Sequence, residues 1–548
     1  MLKKIIYLFL LANTLLPCFI SAQEALKSAE EEYYDFLALQ GLTERPTLNY
    51  RTLSDSVWTV AGDAASPWQN QNLGQKFNFF DSKLTLKIYG PELFMSGNTA
   101  APYGQNDGAL WQGRGFNSIL TGGARLEAYG IEATFRPQLA FSQNAEFEIM
   151  PSAYDSPYGY FWGYSFRNKN GDLAGVDAPQ RFGDKPFFVF DWGDTEIRYT
   201  WKTLTVGFGT QTIWLGSAYL NPILHSNNAP SYPKFDIGLR KQPVTIPGLD
   251  WYIGDVEARL WVGYLTESGY YGNKPEKAHT MFHGLAFAYA PSFLPGLTLF
   301  ANRVCLVDWK WENLKFVIPT GENDGEDQKG SFGLSWVFPQ AGFEFFGELG
   351  IDDFVPDALG FFRYSWHTLV YTVGLKKSIK INPGKKIYGE IIFEWDNREM
   401  SQDFQLQWPY SFYFHSDVSR GYTNKGQWMG SGSGWGGNNQ YLEFRLYYPK
   451  GMSSVFIHRN NPDNNFIYSK AVEASATADD LYDKYFMSWK ANFIIGLDTF
   501  NFIMSQLAIG GGIAYNLIIN PIYYENKSNN EQILWHNFSF KLVAKVLF

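Results

Sequence analysis

The chain ends in WHNFSFKLVAKVLF (residues 535–548), and this stretch poses the choice that fixes the fold. Phe538, Phe540, Leu542, Ala544, Val546 and Phe548 fall on one side of an extended chain. Ser539, Lys541 and Lys545 fall on the other, with Val543 and Leu547 among them. A period of two marks a strand with two unlike faces. Two environments fit such a strand: a soluble sheet with one face on a core, or a barrel wall with one face in hydrocarbon. The rest of the chain has to separate them.

The same alternation recurs inside the chain. In VEARLWVGYL (256–265), Val256, Ala258, Leu260, Val262 and Tyr264 oppose Glu257, Arg259 and Trp261. In YLEFRLYY (441–448), Leu442, Phe444, Leu446 and Tyr448 oppose Tyr441, Glu443, Arg445 and Tyr447. In TEIRYTWKTLTVGFG (195–209), Ile197, Tyr199 and Trp201 oppose Glu196, Arg198 and Thr200. That register resets at Lys202-Thr203, which reads as a tight hairpin, after which Leu204, Val206 and Phe208 face out. ARLEAYGIEATFR (124–136) turns in the same way at Gly130. Arg and Glu recur two apart on the face opposite the apolar one, a pattern suited to bidentate ion pairing. The apolar faces are rich in rings. The chain holds 34 Tyr, 46 Phe and 19 Trp, 18% aromatic, which suits rings placed between apolar and wet zones. A membrane barrel alternates lipid-facing apolar with lumen-facing polar residues, and this accounts for both faces at once. A soluble sandwich accounts for each strand singly.

The N-terminus sets the compartment. MLKKIIYLFLLANTLLPCFISAQ has a basic start (Lys3, Lys4), an apolar stretch from Ile5 to about Pro17, and small residues Ser21 and Ala22. It reads as a secretory signal peptide over residues 1–22, cut near Ala22. Pro17 before Cys18 argues against lipidation, and the mature chain keeps one cysteine, Cys305, which cannot form an internal disulfide. The full sequence carries a formal charge of −9, which becomes −11 in the mature chain once Lys3 and Lys4 leave, and this argues against nucleic acid as a partner. The best later candidate for a spanning helix, Thr499–Tyr524, contains Asn501, Gln506, Asn516, Asn520, Pro521 and the triplet Gly510-Gly511-Gly512, and reads instead as two strands. A secreted chain without a spanning helix can still cross a membrane as a closed barrel.

Residues 23–75 read as a periplasmic N-terminal segment. In EALKSAEEEYYDFLALQG, Leu26, Ala29, Tyr33 and Phe36/Leu37 keep helical spacing, with Gly41 as the stop. Residues 76–548 read as the barrel, long enough for about 16 to 18 strands at roughly 10 residues each plus turns and loops. Candidate outer loops are 154–183, 270–280, 319–329, 401–437 and 460–484, rich in Gly, Asn, Asp and aromatics.

Catalytic chemistry is hard to find. His279 and His283 stand i, i+4 without an HExxH frame, so zinc is not expected there. GSGWGG (432–437) fits G-x-G-x-x-G but follows no βαβ unit. No Ser/His/Asp order stands out, and Asp352-Asp353 suits a solvated turn. No enzyme, cofactor or metal site is read.

Other segments are specific. QGRGFNSILTGG (112–123), DAPQRFG (177–183), TIWLG (212–216), NPILHSNNAPSYP (221–233), WVFPQAGFEFFGELGIDD (336–353), RGYTNKGQWMGSGSG (420–434) and HRNNPDNNFIY (458–468) together resemble the capsule assembly Wzi family, and in the same order. The resemblance runs from about Tyr34 to Phe548, with SNNAP (226–230) its most specific motif and Leu224-His225 a departure where an apolar pair is common. It implies an all-β, antiparallel outer-membrane barrel of 18 strands with a small N-terminal periplasmic helical part. It also implies a lectin-like role, holding exported surface polysaccharide. The positions that the family pattern carries over are Arg181, Trp214, Asn227, Asn228 and Tyr422. Trp428 and Trp435 join them as candidates because rings interleaved with amides suit sugar binding. Other expected partners are outer-membrane lipid, lipopolysaccharide-like lipid and the outer-membrane insertion machinery, whose address a terminal aromatic resembles. The rival readings are a porin or solute channel, and a loop-mediated adhesin.

Overall fold

The structure is a computed structural model that describes residues 20–60, 66–150, 158–159, 176–271, 279–317, 325–352, 369–399, 412–415, 418, 420–462, 490–522 and 533–548. Much of the expected outer-loop sequence, and the expected leader up to residue 19, lie outside the described residues. Among the described residues no helix is long and apolar enough to cross a membrane.

The architecture is a closed antiparallel barrel of 18 staves. It starts at Leu84–Asn98 and closes when the terminal strand, Leu534–Val546, pairs both with Leu507–Ile519 and with Leu84–Asn98. Two neighbouring staves are broken in step. Ile131–Phe135 and Gln138–Ser142 flank Pro137, which lacks a ladder N–H, and Phe187–Asp191 and Glu196–Trp201 flank the facing break. The seam has its own device. Lys76–Phe79 pairs with the first half of Leu84–Asn98, and the Gln75 N–H donates to the Phe548 carbonyl at 2.9 Å. The terminal strand and the segment that leads into the barrel thus share one line. Gly90 sits at that hand-over, where an added Cβ would collide with the Val546 carbonyl oxygen.

Short turns such as Tyr129-Gly130, Lys202-Thr203 and Pro449-Lys450 lie at one end, and the long connections lie at the other. Side chains fall as the alternation predicts. Ile197, Tyr199, Trp201, Leu442, Phe444, Phe538 and Phe540 are exposed on the outer wall, while Arg198, Glu257, Arg259, Trp261, Glu443 and Arg445 are buried inside. Of the two lysines on the inner face of the terminal strand, Lys541 pairs with Asp498 at 2.7 Å and Lys545 with Glu30 at 2.8 Å.

Glu30 belongs to helix α1 (Ala29–Leu39), whose N-cap is Ser28; Gly41, at φ +72°, follows its end. The helix does not hang free below the wall. Tyr33, Phe36 and Leu37 pack with Tyr388, Tyr447, Phe500 and Phe502 at the turn end. Its acidic face is paired as well. Glu31 meets Arg51 at 2.5 Å, Glu32 meets Arg445 at 3.0 Å, and Asp35 meets Arg45 at 2.7 Å and also Lys376.

The wall's arginines and carboxylates form the expected network, and the N-terminal segment plugs into it. Arg198 bridges Glu196 and Asp236, and Arg259 bridges Asp236 (2.8 Å) and Asp55 (2.6 Å). Arg240 bridges Asp55 (2.6 Å) and Glu132 (2.7 Å). Burial raises the Asp55 carboxyl, but Arg240 and Arg259 outweigh it and hold the group well below the usual carboxylate range.

Candidate functional site

Wall carboxylates also grip backbone. Glu257 accepts the N–H groups of Leu48 (2.9 Å), Asn49 (3.0 Å) and Tyr50 (2.7 Å). Glu394 does the same for Tyr219 (2.6 Å), Leu220 (2.9 Å) and Asn221 (2.8 Å). These are charge-assisted bonds to groups that a buried loop must otherwise leave unsatisfied. They explain how the connection between Leu204–Gly209 and Lys234–Ile246 folds into the lumen. There it meets the N-terminal segment: Arg51 and Trp214 exchange backbone hydrogen bonds, and the Gly216 N–H donates to Asn49 at 2.9 Å.

The upper part of this infolded loop is knotted to two others. Ser226 Oγ donates to the Gly430 carbonyl at 2.5 Å. The Asn228 amide donates to the Trp428 carbonyl at 3.0 Å and accepts from the Asn106 N–H at 3.0 Å. The Asn227 carbonyl accepts from the Gly108 N–H at 2.7 Å. Tyr413 and Tyr422, stacked at 5.4 Å, donate to the Ile223 and Leu224 carbonyls. His225 sits between the Ile213 carbonyl and the Tyr232 hydroxyl; burial, with the charge of Lys234, pushes its imidazole down to about 3, so it stays neutral.

Beside this knot lies a cavity of about 550 Å³, a size that suits small-ligand pockets of roughly 300–1,000 Å³. Its wall is made by six consecutive staves, Asn438–Tyr448, Gly451–Asn461, Ala491–Met504, Leu507–Ile519, Leu534–Val546 and Leu84–Asn98, with the knotted loops as its other side. The lining runs from Asn460, Asn492 and Trp535 at the long-loop ends of their strands down to Asp498 and Lys541. Tyr103, Trp111, Trp428, Tyr441 and Trp535 give it aromatic faces. Several lining polar atoms are buried without a hydrogen-bond partner: Ser96 Oγ, Trp111 Nε1, His458 Nε2, and the Oδ1 atoms of Asn460, Asn492 and Asn516. Asp107 also lines it, held by Gln112 at 2.7 Å, and burial pushes its carboxyl up to about 7.

The residues singled out from sequence are distributed unevenly around this cavity. Trp428 and Asn228 line it. Asn227 is not among the lining residues; its backbone carbonyl holds Gly108, the neighbour of the lining Asp107. Arg181 is buried and ties Asp184 (3.2 Å) to the Asn144 carbonyl (3.2 Å). Trp214 is buried with its indole N–H on the Ala218 carbonyl, and Tyr422 and Trp435 belong to the apolar core under the knot. The lining asparagines Asn492 and Asn516 and the rings Tyr103, Trp111 and Trp535 were not among the candidates. The only sequence signal of the two asparagines is an amide at an inward position of a strand. Among the described residues no group of three or more His, Cys, Asp or Glu could hold a metal.

Residues 95–305 match the family described as Capsule assembly protein Wzi. That span contains the quoted segments at 112–123, 177–183, 212–216 and 221–233, and the segments from 336 onward lie beyond it. No curated protein matches the chain in sequence. Among solved structures, Escherichia coli Wzi, described as an outer membrane protein involved in group 1 capsule assembly and a carbohydrate-binding β-barrel, aligns with a TM-score of 0.52. The two are 12% identical over 83% of this chain and 84% of that one. Pseudomonas aeruginosa OccK8 (OprE) aligns at 0.38, with 9% identity over 86% and 99% of the two chains. Pseudomonas putida OprB aligns at 0.36, with 10% identity over 84% and 94%.

Proposed function

We propose, from a barrel whose residues 95–305 carry the Wzi capsule-assembly pattern, that this chain holds exported polysaccharide at the outer face of the outer membrane and catalyses no reaction. On this reading the leader is removed near Ala22, lipid and lipopolysaccharide-like lipid surround the wall, and the insertion machinery receives the terminal strand. The observation that carries the reading is the pairing of a filled lumen with a ring- and amide-lined cavity on the long-loop side. Sugars offer C–H faces to rings and hydroxyls to amides, and this cavity supplies both. Transport is the competing use of a barrel, and it needs a continuous passage. Here the N-terminal segment and the infolded loop are bonded to the wall by Glu257, Glu394 and the Arg240–Asp55–Arg259 bridge.

The test is a deletion strain. Surface polysaccharide is measured as cell-attached and shed fractions, and the expected result is unchanged synthesis with a shift from attached to shed. A strain that keeps its polysaccharide attached refutes the holding role. Adhesion to host matrix that does not depend on the cell's own polysaccharide would favour the adhesin.

A further inference from the structure

We infer that the cavity between the knot and the last staves binds uncharged sugar units and discriminates against acidic ones. The inference rests on the polysaccharide-holding reading and adds the chemical class that the site selects.

Polarity is the first observation. Asn460 and Asn492 are direct cross-strand partners, and Asn516 pairs with Ile494 one inward position further down. These amides therefore form a row across three neighbouring staves. Their unpartnered atoms are carbonyl oxygens, which are acceptors. Asn516 is 3% exposed and His458 6%, so neither reaches bulk water to satisfy itself. Orphaned acceptors call for donors. A sugar hydroxyl is a donor as well as an acceptor, whereas an ionised carboxylate only accepts. Set against the amide row, a carboxylate leaves the Asn oxygens unmet and brings its own charge out of water.

Charge is the second. The lining acids are Asp107, Glu148 and Asp498, and the lining bases are Lys490 and Lys541. Lys541 is committed to Asp498 at 2.7 Å. Among the described lining residues there is no arginine, so they offer no bidentate fork suited to a carboxylate. The rings are the third. Trp111 and Trp428 come from the two loops that cover the cavity and Trp535 from its wall, so a sugar ring can be approached from more than one side, with the Trp111 indole N–H as a donor.

The test uses the full-length protein in detergent and short oligosaccharides cut from the producing strain's own surface polysaccharide. One portion is carboxyl-reduced, and the other is oxidised at its primary hydroxyls to carboxylates. Indole fluorescence and equilibrium retention report binding. We expect the reduced oligosaccharides to bind at least ten-fold more tightly than the oxidised ones. Asn492→Leu and Asn516→Leu should each weaken the reduced ligand about ten-fold while gel mobility of the unheated barrel stays native. Equal or tighter binding of the oxidised form overturns the inference, and so does unchanged affinity in both folded variants. Should the variants not fold, the comparison of the two ligands on the natural chain still decides. If neither form binds, the holding reading falls and this inference with it; tight binding of the oxidised form alone leaves the holding reading standing.

Discussion

Asp107 shows how one residue ties the covering loop to pH. Its carboxyl lies against the cavity with Gln112 as its hydrogen-bond donor, and burial lifts it from 3.8 to about 7. In the released loop the group ionises near pH 4; in the folded loop it keeps its proton until about pH 7. The folded form therefore holds its full contribution below about pH 4 and loses it as pH rises towards and through 7. Quenching of Trp111 by acrylamide should be greater at pH 8 than at pH 5, and Asp107→Asn should remove the difference. Equal quenching at both pH values in the natural chain contradicts this account. Asp107 shows why the site was only partly legible from sequence. The fragment QNDG (105–108) reads as a turn, and nothing local says that Asp107 faces the staves at the far end of the chain. Trp428 lines the cavity, and its sequence signal is the alternation of rings and amides around it. Asn516 was visible only as an amide that spoils a spanning helix. Its meaning comes from a register with Ile494 that the sequence does not display.

At the scale of elements the staves were legible, because each needs only its own two-residue period to show two faces. The seam, the infolded loop and the setting of α1 depend on partners far away in sequence. The acidic run Glu30-Glu31-Glu32 reads as a solvated face because isolated charges prefer water. Inside the barrel Lys545, Arg51 and Arg445 supply partners and reverse that preference. The strongest such device is Glu257, which satisfies three consecutive backbone donors of the N-terminal segment. Glu257→Gln keeps the shape but offers a single carbonyl oxygen and turns an N–H₂ group towards other donors. We expect local opening of residues 48–50 to become easier by about 2 kcal/mol, on the order of 30-fold in amide exchange. Exchange in a stave far from Glu257, such as Leu507–Ile519, should not change. A uniform rise in exchange across the barrel would show instead that the wall itself had loosened.

For the whole molecule the question is what an 18-stave barrel does with its interior. Barrels of about this size enclose a water-filled channel when nothing occupies them. Here the interior holds the N-terminal segment and the knotted loops, and their apolar contacts run from Tyr50 and Trp261 to Tyr413 and Trp435. Arg–carboxylate bridges alone would narrow a pore without closing it. The backbone grips by Glu257 and Glu394 place chain, not only side chains, across the bore. The natural protein in planar bilayers should therefore show little or no steady conductance at moderate voltage. Asp55→Asn weakens the contact that links Arg240 to Arg259, at a cost of about 3 kcal/mol for a broken buried pair, and should produce brief openings without a stable channel. Acid should act less readily than the mutation. Asp55 is held below the normal carboxylate range, so its pairing is intact above about pH 4 and is lost only as pH falls through its depressed value. Conductance recorded at pH 5 and pH 7 should then be equally low for the natural chain. A large, stable conductance at either pH would mean that the lumen is a passage, and the barrel would have to be read as a channel.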